Sequence, residues 1–393
     1  MKRKSKKQYS KKELRLQKEE AMSNIKLMAL ALTALALLLA GCERDITGDV
    51  ELADNSSTSC FTCHSDQEIG LTVAREQYEN SVHADGENTN RNRLYNTRYE
   101  SCEKCHSHEG FIAEVTGVEA TGDNFSPITC FTCHKPHSLR NLEPRVTEAV
   151  VLEDGISIFD LGPANLCASC HHSRQNVSTY VVDSVKLSSH FGPHYSNQGD
   201  MLIGANAYEF ADYDEYTNSW HSTGVTNGCV GCHMSKSMHE SIGGHSWNME
   251  NEDRHFVNLS GCNQSGQNGE SVCHVSPSLD SLNRVAHADF DGDSDVEGVH
   301  DEIEGLLDDL KALLIAAGLT NAEGTPLSVT VPDADSAGAL YNFLFVEDDH
   351  SHGIHNTKYA VGLLQSSINY MTTGDPNGAP ATNRSTERLV SAH

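Results

Sequence analysis

Cysteine and histidine are the chemistry-bearing residues of this chain, 13 and 22 of them in 393 residues, and ten of the cysteines recur in one pattern. The pentapeptide Cys-x-x-Cys-His appears at Cys60, Cys63 and His64; at Cys102, Cys105 and His106; at Cys130, Cys133 and His134; at Cys167, Cys170 and His171; and at Cys229, Cys232 and His233. Two thiols three residues apart can form thioethers with the vinyls of one porphyrin, and the next imidazole then lies under its iron. A zinc site built from Cys-x-x-Cys pairs would not require a histidine directly after every second cysteine. Five repeats therefore predict five covalently attached c haems.

Cys262, Cys273 and His274 form an interrupted sixth motif, with ten residues between the cysteines where the others have two. A haem is favoured there, because thioether formation needs both sulfurs at the vinyls but does not forbid a bulge between them. A disulfide between Cys262 and Cys273 is the competing reading, allowed outside the cytoplasm. Six motif histidines leave 16 others as opposite-face ligands, more than enough for every iron. Met201 and Met234 are then unnecessary as axial ligands. His83, closing Asn80-Ser-Val-His83, is one candidate. His108, His172, His239, His255, His350 and His352 read as polar surface or propionate-facing residues, while His287 and His300 stay open.

The elements that must position these groups are sparse. Only 38% of the chain is hydrophobic and 6% aromatic, lean for a protein core, so buried porphyrin surface is expected to supply part of it. Residues 72–83 can form a helical turn or more, and residues 146–161 alternate around Asp154-Gly155 as a hairpin. Ile303, Leu306, Leu307, Leu310, Leu313 and Leu314 recur at helical spacing, predicting an amphipathic helix over 299–317 that stops near Gly318. A strand over 327–331 and helices over 337–346 and 356–371 are expected to follow. The only internal repeat is the motif itself, and its irregular spacing excludes a solenoid.

Domain boundaries follow from the same reading. Residues 1–41 read as a lipoprotein signal peptide, with Met22 the expected start, a 14-residue apolar run over 27–40 too short to span a bilayer, and Leu39-Ala40-Gly41-Cys42 resembling a lipobox. That resemblance implies lipidation of Cys42, hence an exported protein anchored to a membrane, at the outer membrane on its periplasmic or cell-surface side. Residues 42–59 read as a tether, 60–285 as the haem region and 286–393 as a helical region. Residues 1–41 hold ten Lys/Arg and three Asp/Glu, so the remainder carries 18 basic and 52 acidic residues, net −34. Such a charge argues against nucleic acid as a partner and for steering toward cations.

A second metal is suggested by Asp289, Asp291, Asp293 and Asp295, carboxylates at alternate positions with Gly292 among them, as in calcium loops. It is not an EF-hand, since Ser294 and His300 stand where the loop glycine and the bidentate glutamate belong.

With these motifs in view, the chain resembles the multihaem c-type cytochromes over most of residues 60–371. The segments carrying the resemblance are CHKPH at 133–137, HFGPHYSNQGDML at 190–202, NSWHSTG with CVGCHM and GGHSW at 218–247, and GIHNTKYAVGLL at 353–364. The last two groups are similar to the pentahaem nitrite reductases, in which the corresponding histidines are distal haem ligands; the resemblance thus nominates His221, His245 and His355, and His83, His137 and His194 complete the set. Here the chain departs from that family, because no Cys-x-x-Cys-Lys, the motif of its catalytic haem, occurs. What the resemblance implies is a mainly α fold with much irregular coil, wrapped around a chain of haems with C-terminal helices packed on it. The implied activity is electron transfer between extracytoplasmic redox partners, or to an extracellular acceptor in anaerobic respiration. A self-assembling filament subunit, and a reductase of a small nitrogen or sulfur compound such as nitrite, are the alternatives.

Overall fold

The computed structural model describes residues 69–84, 102–118, 125–135, 143–225, 227–237, 239–251, 253, 255–263, 274 and 279–377. All of these lie in one compact unit, Thr58–His393. The expected signal peptide over 1–41, Cys42, the expected tether over 42–59, the motif at Cys60, Cys63 and His64, and also His137 and Cys273, fall outside the described residues.

Up to residue 285 the helices are short: α1 (Ile69–Glu79), α2 (Glu103–His106), α3 (His108–Thr116), α4 (Cys130–Cys133), α5 (Asn165–Ala168), α6 (Val177–Tyr180), α7 (Gln198–Ile203), α8 (His221–Gly224) and α9 (Cys229–His233). The strands are shorter still. Val150–Val151 (β1) and Ile158–Phe159 (β2) pair antiparallel as the hairpin expected around Asp154-Gly155. Gly155 takes φ +76°, and the Asp154 carboxylate accepts from the amides of Ile156 and Ser157 and from the Ser157 hydroxyl, which closes the turn. Val185–Lys186 (β3) pairs with Thr330–Val331 (β6), and Glu250–Asn251 (β4) with Phe256–Val257 (β5). The expected strand over 327–331 is thus shortened to its last two residues.

Three long helices follow: α10 (Val299–Ala316), α11 (Ala334–Glu347) and α12 (Thr357–Thr373). Asp301 and Glu302 in the first turn of α10 suit its dipole, and the helix stops where Gly318 adopts φ +71°. Asp333 caps α11 by accepting the Ser336 amide at 2.7 Å, and Gly374 ends α12 at φ +76° with its amide on Tyr370 O. The leucines anticipated on one face of α10 are the ones buried: Leu306, Leu310 and Leu314 are fully inaccessible, against Tyr341 and Phe345 of α11 and Ala360, Val361 and Leu364 of α12.

This main core is not confined to the helical region. Val181, Leu187, Phe191, Met201 and Ala207 belong to the same cluster, so it crosses residue 285. A separate small cluster of Leu152, Phe159, Ala164, Ala168 and Leu202 sits under the hairpin and α5. The architecture is mainly helical with much coil, and no described helix is long and apolar enough to cross a membrane.

Candidate haem-binding sites

Each described motif folds as a single helical turn. The amide of His106 reaches Cys102 O at 3.1 Å, that of His134 reaches Cys130 O at 2.9 Å and that of His171 reaches Cys167 O at 2.8 Å, while Cys229 to His233 form α9 outright. That i to i+4 closure puts both thiols and the imidazole on one side of the turn. The interrupted motif closes identically, for the His274 amide donates to Cys262 O at 2.9 Å. Asn263 holds the far side of the interruption, accepting from the Leu279 amide at 2.8 Å and donating to Leu279 O at 3.0 Å.

Five motif histidines face five others. Ring centroids lie 6.2 Å apart for His106 and His194, 6.2 Å for His134 and His245, 6.0 Å for His171 and His83, 6.1 Å for His233 and His355, and 6.2 Å for His274 and His221. A metal–imidazole bond of about 2.0–2.1 Å, with the ring centre about 1.1 Å behind its nitrogen, separates two imidazoles on opposite faces of one metal by about 6.3 Å. The five separations are close to that span, and each pair has two cysteines beside one of its rings. The residues therefore fit a covalently held haem with an imidazole on either face. His300 and His352, by contrast, lie 5.0 Å apart with no cysteine pair beside them.

Of the candidate opposite-face ligands, His83, His194, His221, His245 and His355 thus each face a motif histidine. His137 and His64 are outside the described residues. Neither His221 nor His245, although flanking α9 in sequence, faces His233. His172 is 7% exposed, with Nδ1 at 2.8 Å from Ser173 O, which removes the surface half of its reading and leaves the propionate-facing half. Met201 is fully buried in the main core.

Burial favours the neutral form, the state that ligates, at eight of these imidazoles. Burial, with the nearby His171, holds His83 down at about 4; burial, Arg174 and His106 do the same for His194. Burial also lowers His106, His171, His221, His233, His245 and His274. At His355 burial acts downward too, but the Asp349 carboxylate outweighs it and the group ends raised.

Several residues that orient the ligands carry no sequence signature. Nδ1 of His171 faces Gln198 Oε1 at 3.2 Å, that of His233 faces Trp247 O at 2.8 Å, and that of His221 faces Ile354 O at 2.7 Å. The Trp247 indole also packs edge-on to His83 at 4.6 Å and to His245 at 5.8 Å, so one residue touches ligands of three sites. Gln77 of α1, 3% exposed, accepts the His245 amide at 3.1 Å and donates to His239 O at 3.2 Å. It fits only because Gly244 has no Cβ, which would stand 2.1 Å from Gln77 Oε1. Asn356 joins the segments bearing His221 and His355, accepting the Ser219 amide at 2.7 Å and donating to Asn218 Oδ1 at 2.7 Å.

The sites also adjoin one another. The sulfur of Cys105 adjoins that of Cys170, and that of Cys167 adjoins that of Cys229, so the second, fourth and fifth motifs lie side by side.

The acidic loop gathers a different set from the one its spacing suggests. Carboxylate oxygens of Asp289, Asp291 and Glu302 lie within 4.8 Å of one another, whereas Asp293 and Asp295 are exposed, and Asp293 Oδ1 accepts the Asp295 amide at 2.7 Å. Glu302, fully buried, belongs to α10, beyond the reach of a reading confined to the loop.

No family model matches the chain. A C-type polyheme cytochrome, OmcC, of Geobacter sulfurreducens (strain ATCC 51573 / DSM 12127 / PCA) is 23% identical over 183 residues, which are 34% of this chain and 24% of that protein. The crystal structure of the outer cell wall cytochrome OcwA aligns with a TM-score of 0.42 at 20% identity, over 75% of this chain and 49% of that one. The chain thus spans about a quarter of the first protein's length and about half of the second's. With five strict haem-attachment motifs and a polyhaem relative, the chain is similar to the multihaem c-type cytochromes.

Proposed function

We propose that the protein carries electrons through six c haems, five of them held between two histidines (His106 with His194, His134 with His245, His171 with His83, His233 with His355, and His274 with His221) and one attached at the motif of Cys60, Cys63 and His64. The observation that carries this is the set of five histidine pairs at 6.0 to 6.2 Å, each joining a motif histidine to one outside any motif. A haem with imidazole on both faces supplies one-electron transfer and leaves no position for substrate, which sets the reductase reading aside. The residues themselves anchor the haems and orient the imidazoles. Support for the sixth haem comes from the His274 amide closing on Cys262 O at 2.9 Å, the same closure as in the strict motifs. Both imidazoles of all five described pairs come from one chain, which favours a self-sufficient electron carrier over a filament subunit that borrows a ligand.

Export, lipidation at Cys42 and anchoring at the outer membrane complete the reading, with redox proteins or an extracellular acceptor as partners. Calcium belongs to it as well, held by Asp289, Asp291 and Glu302. The central test is the electrospray mass of the mature holoprotein together with its oxidised spin state. Six haem increments and a wholly low-spin spectrum are expected. Five increments with an intact disulfide between Cys262 and Cys273 would remove the sixth haem, and a substantial high-spin signal at neutral pH would restore the reductase.

A further inference from the structure

The ligand histidines differ in what holds the ring nitrogen turned away from the iron. For His171, His221 and His233 the acceptor is neutral: the Gln198 side-chain amide or the carbonyl of Ile354 or Trp247. For His355 it is a carboxylate. Asp349 Oδ1 stands 2.7 Å from His355 Nδ1, and Asp349 is 2% exposed. Its other oxygen accepts the Ser351 hydroxyl, whose oxygen accepts the His355 amide at 3.2 Å. Carboxylate, hydroxyl and imidazole therefore close a ring within seven residues, and the geometry of the carboxylate is fixed.

A buried carboxylate on the outer nitrogen of a metal-bound imidazole draws the Nδ1 proton toward itself, which makes Nε2 a stronger donor. It also places a negative charge near the metal where little water screens it. Both effects favour ferric over ferrous iron, and neither operates where the acceptor is a neutral amide or carbonyl.

Resting on the axial pairs assigned above, we propose that Asp349 is the tuning residue of the His233–His355 site and makes its iron harder to reduce than those of the His171–His83 and His274–His221 sites. The same loop then sets two neighbouring sites apart: the Ile354 carbonyl leaves His221 with an ordinary donor strength, and Asp349 raises that of His355. Because Cys229 of this site adjoins Cys167 of the next, the low-potential centre exchanges electrons directly with the His171 site.

The test is a potentiometric titration of the full holoprotein and its Asp349→Asn variant, followed by haem absorbance. The substitution keeps an acceptor near His355 and removes the charge. One haem's share of the reduction amplitude is expected to move to more positive potential, with haem mass and low-spin spectrum unchanged. Ser351→Ala frees the second carboxylate oxygen and moves the same share to more negative potential, so it reads the charge if Asp349→Asn fails to accumulate. Gln198→Leu, which removes a neutral acceptor, is expected to move the His171 share by much less. A His355→Ala variant separates the two layers of the argument. If it converts one haem to high spin while neither Asp349→Asn nor Ser351→Ala shifts the titration, the tuning role is overturned and the ligand assignment stands. If it leaves every haem low-spin, the assignment itself fails.

Discussion

An iron between two nearly parallel imidazoles and one between two perpendicular imidazoles have different ligand fields, and the five facing histidine pairs would supply both. The rings of His106 and His194 are 27° apart, those of His134 and His245 44°, and those of His233 and His355 50°, whereas His83 stands at 84° to His171 and His221 at 88° to His274. Parallel rings split the iron orbitals rhombically, and crossed rings leave them nearly degenerate. The oxidised protein is therefore expected to show two kinds of low-spin EPR signal, with two haems giving the highly anisotropic kind. His83→Ala and His221→Ala should each remove one of those two and leave the rhombic signals intact. Loss of a rhombic signal instead would show that the pairs are wrongly drawn. The motif histidines were legible because attachment chemistry fixes their spacing, and the opposite ligands were legible as a set from local segments. Their pairing was not: His83 and His171 are far apart in sequence, and only packing joins them. Still less visible were Trp247, Gln198 and Asp349, which act by a carbonyl, an amide or a carboxylate placed by the fold.

Helices whose apolar residues recur over several turns were legible, and one-turn helices were not. The face of α10 that carries Leu306, Leu310 and Leu314 is set by sequence period alone, and the structure buries those same leucines. The short helices α2, α4, α5 and α9 have no such face; their residues are organised by the motif's own closure and by what attaches to it. The acidic loop shows the limit of reading one element at a time. Alternate aspartates pointed to a cation loop, but Glu302, supplied by the helix after it, joins Asp289 and Asp291. Glu302 also accepts the amides of Phe290 and Glu297, and so ties the loop to the first turn of α10. Burial and neighbouring carboxylates hold Asp291 up at about 6, a cost that a bound cation would relieve. Calcium at a hundredfold excess over its Kd is expected to add about 2.7 kcal/mol to stability. Thermal unfolding with calcium and with EGTA should differ accordingly, and Glu302→Gln should abolish the difference. Equal midpoints for the native protein in both conditions would leave the three carboxylates a structural cluster and nothing more.

At the scale of the molecule, the composition and the core tell one story. The large apolar cluster is built mainly by α10, α11 and α12, while the motif-bearing half contributes short helices, two-residue strands and one small cluster. A chain only 38% hydrophobic can fold this way when attached porphyrins serve as the core of that half. The charge is the other global property. The full chain is net −27, and without residues 1–41 it is net −34. At an ionic strength of 0.15 M the screening length is about 8 Å, so a field of this size reaches well beyond the surface at low salt and little beyond it at high salt. Electron exchange with small diffusing partners should reveal it. Oxidation of the reduced protein by a cationic complex is expected to slow roughly tenfold or more between 10 mM and 300 mM salt, and oxidation by an anionic complex of matched potential should accelerate. Stopped-flow traces at the haem absorbance read both directly. If the two reagents respond alike to salt, the acidic surface does not reach the sites of electron entry and exit. If they respond oppositely, the excess of carboxylates selects cationic partners at those sites.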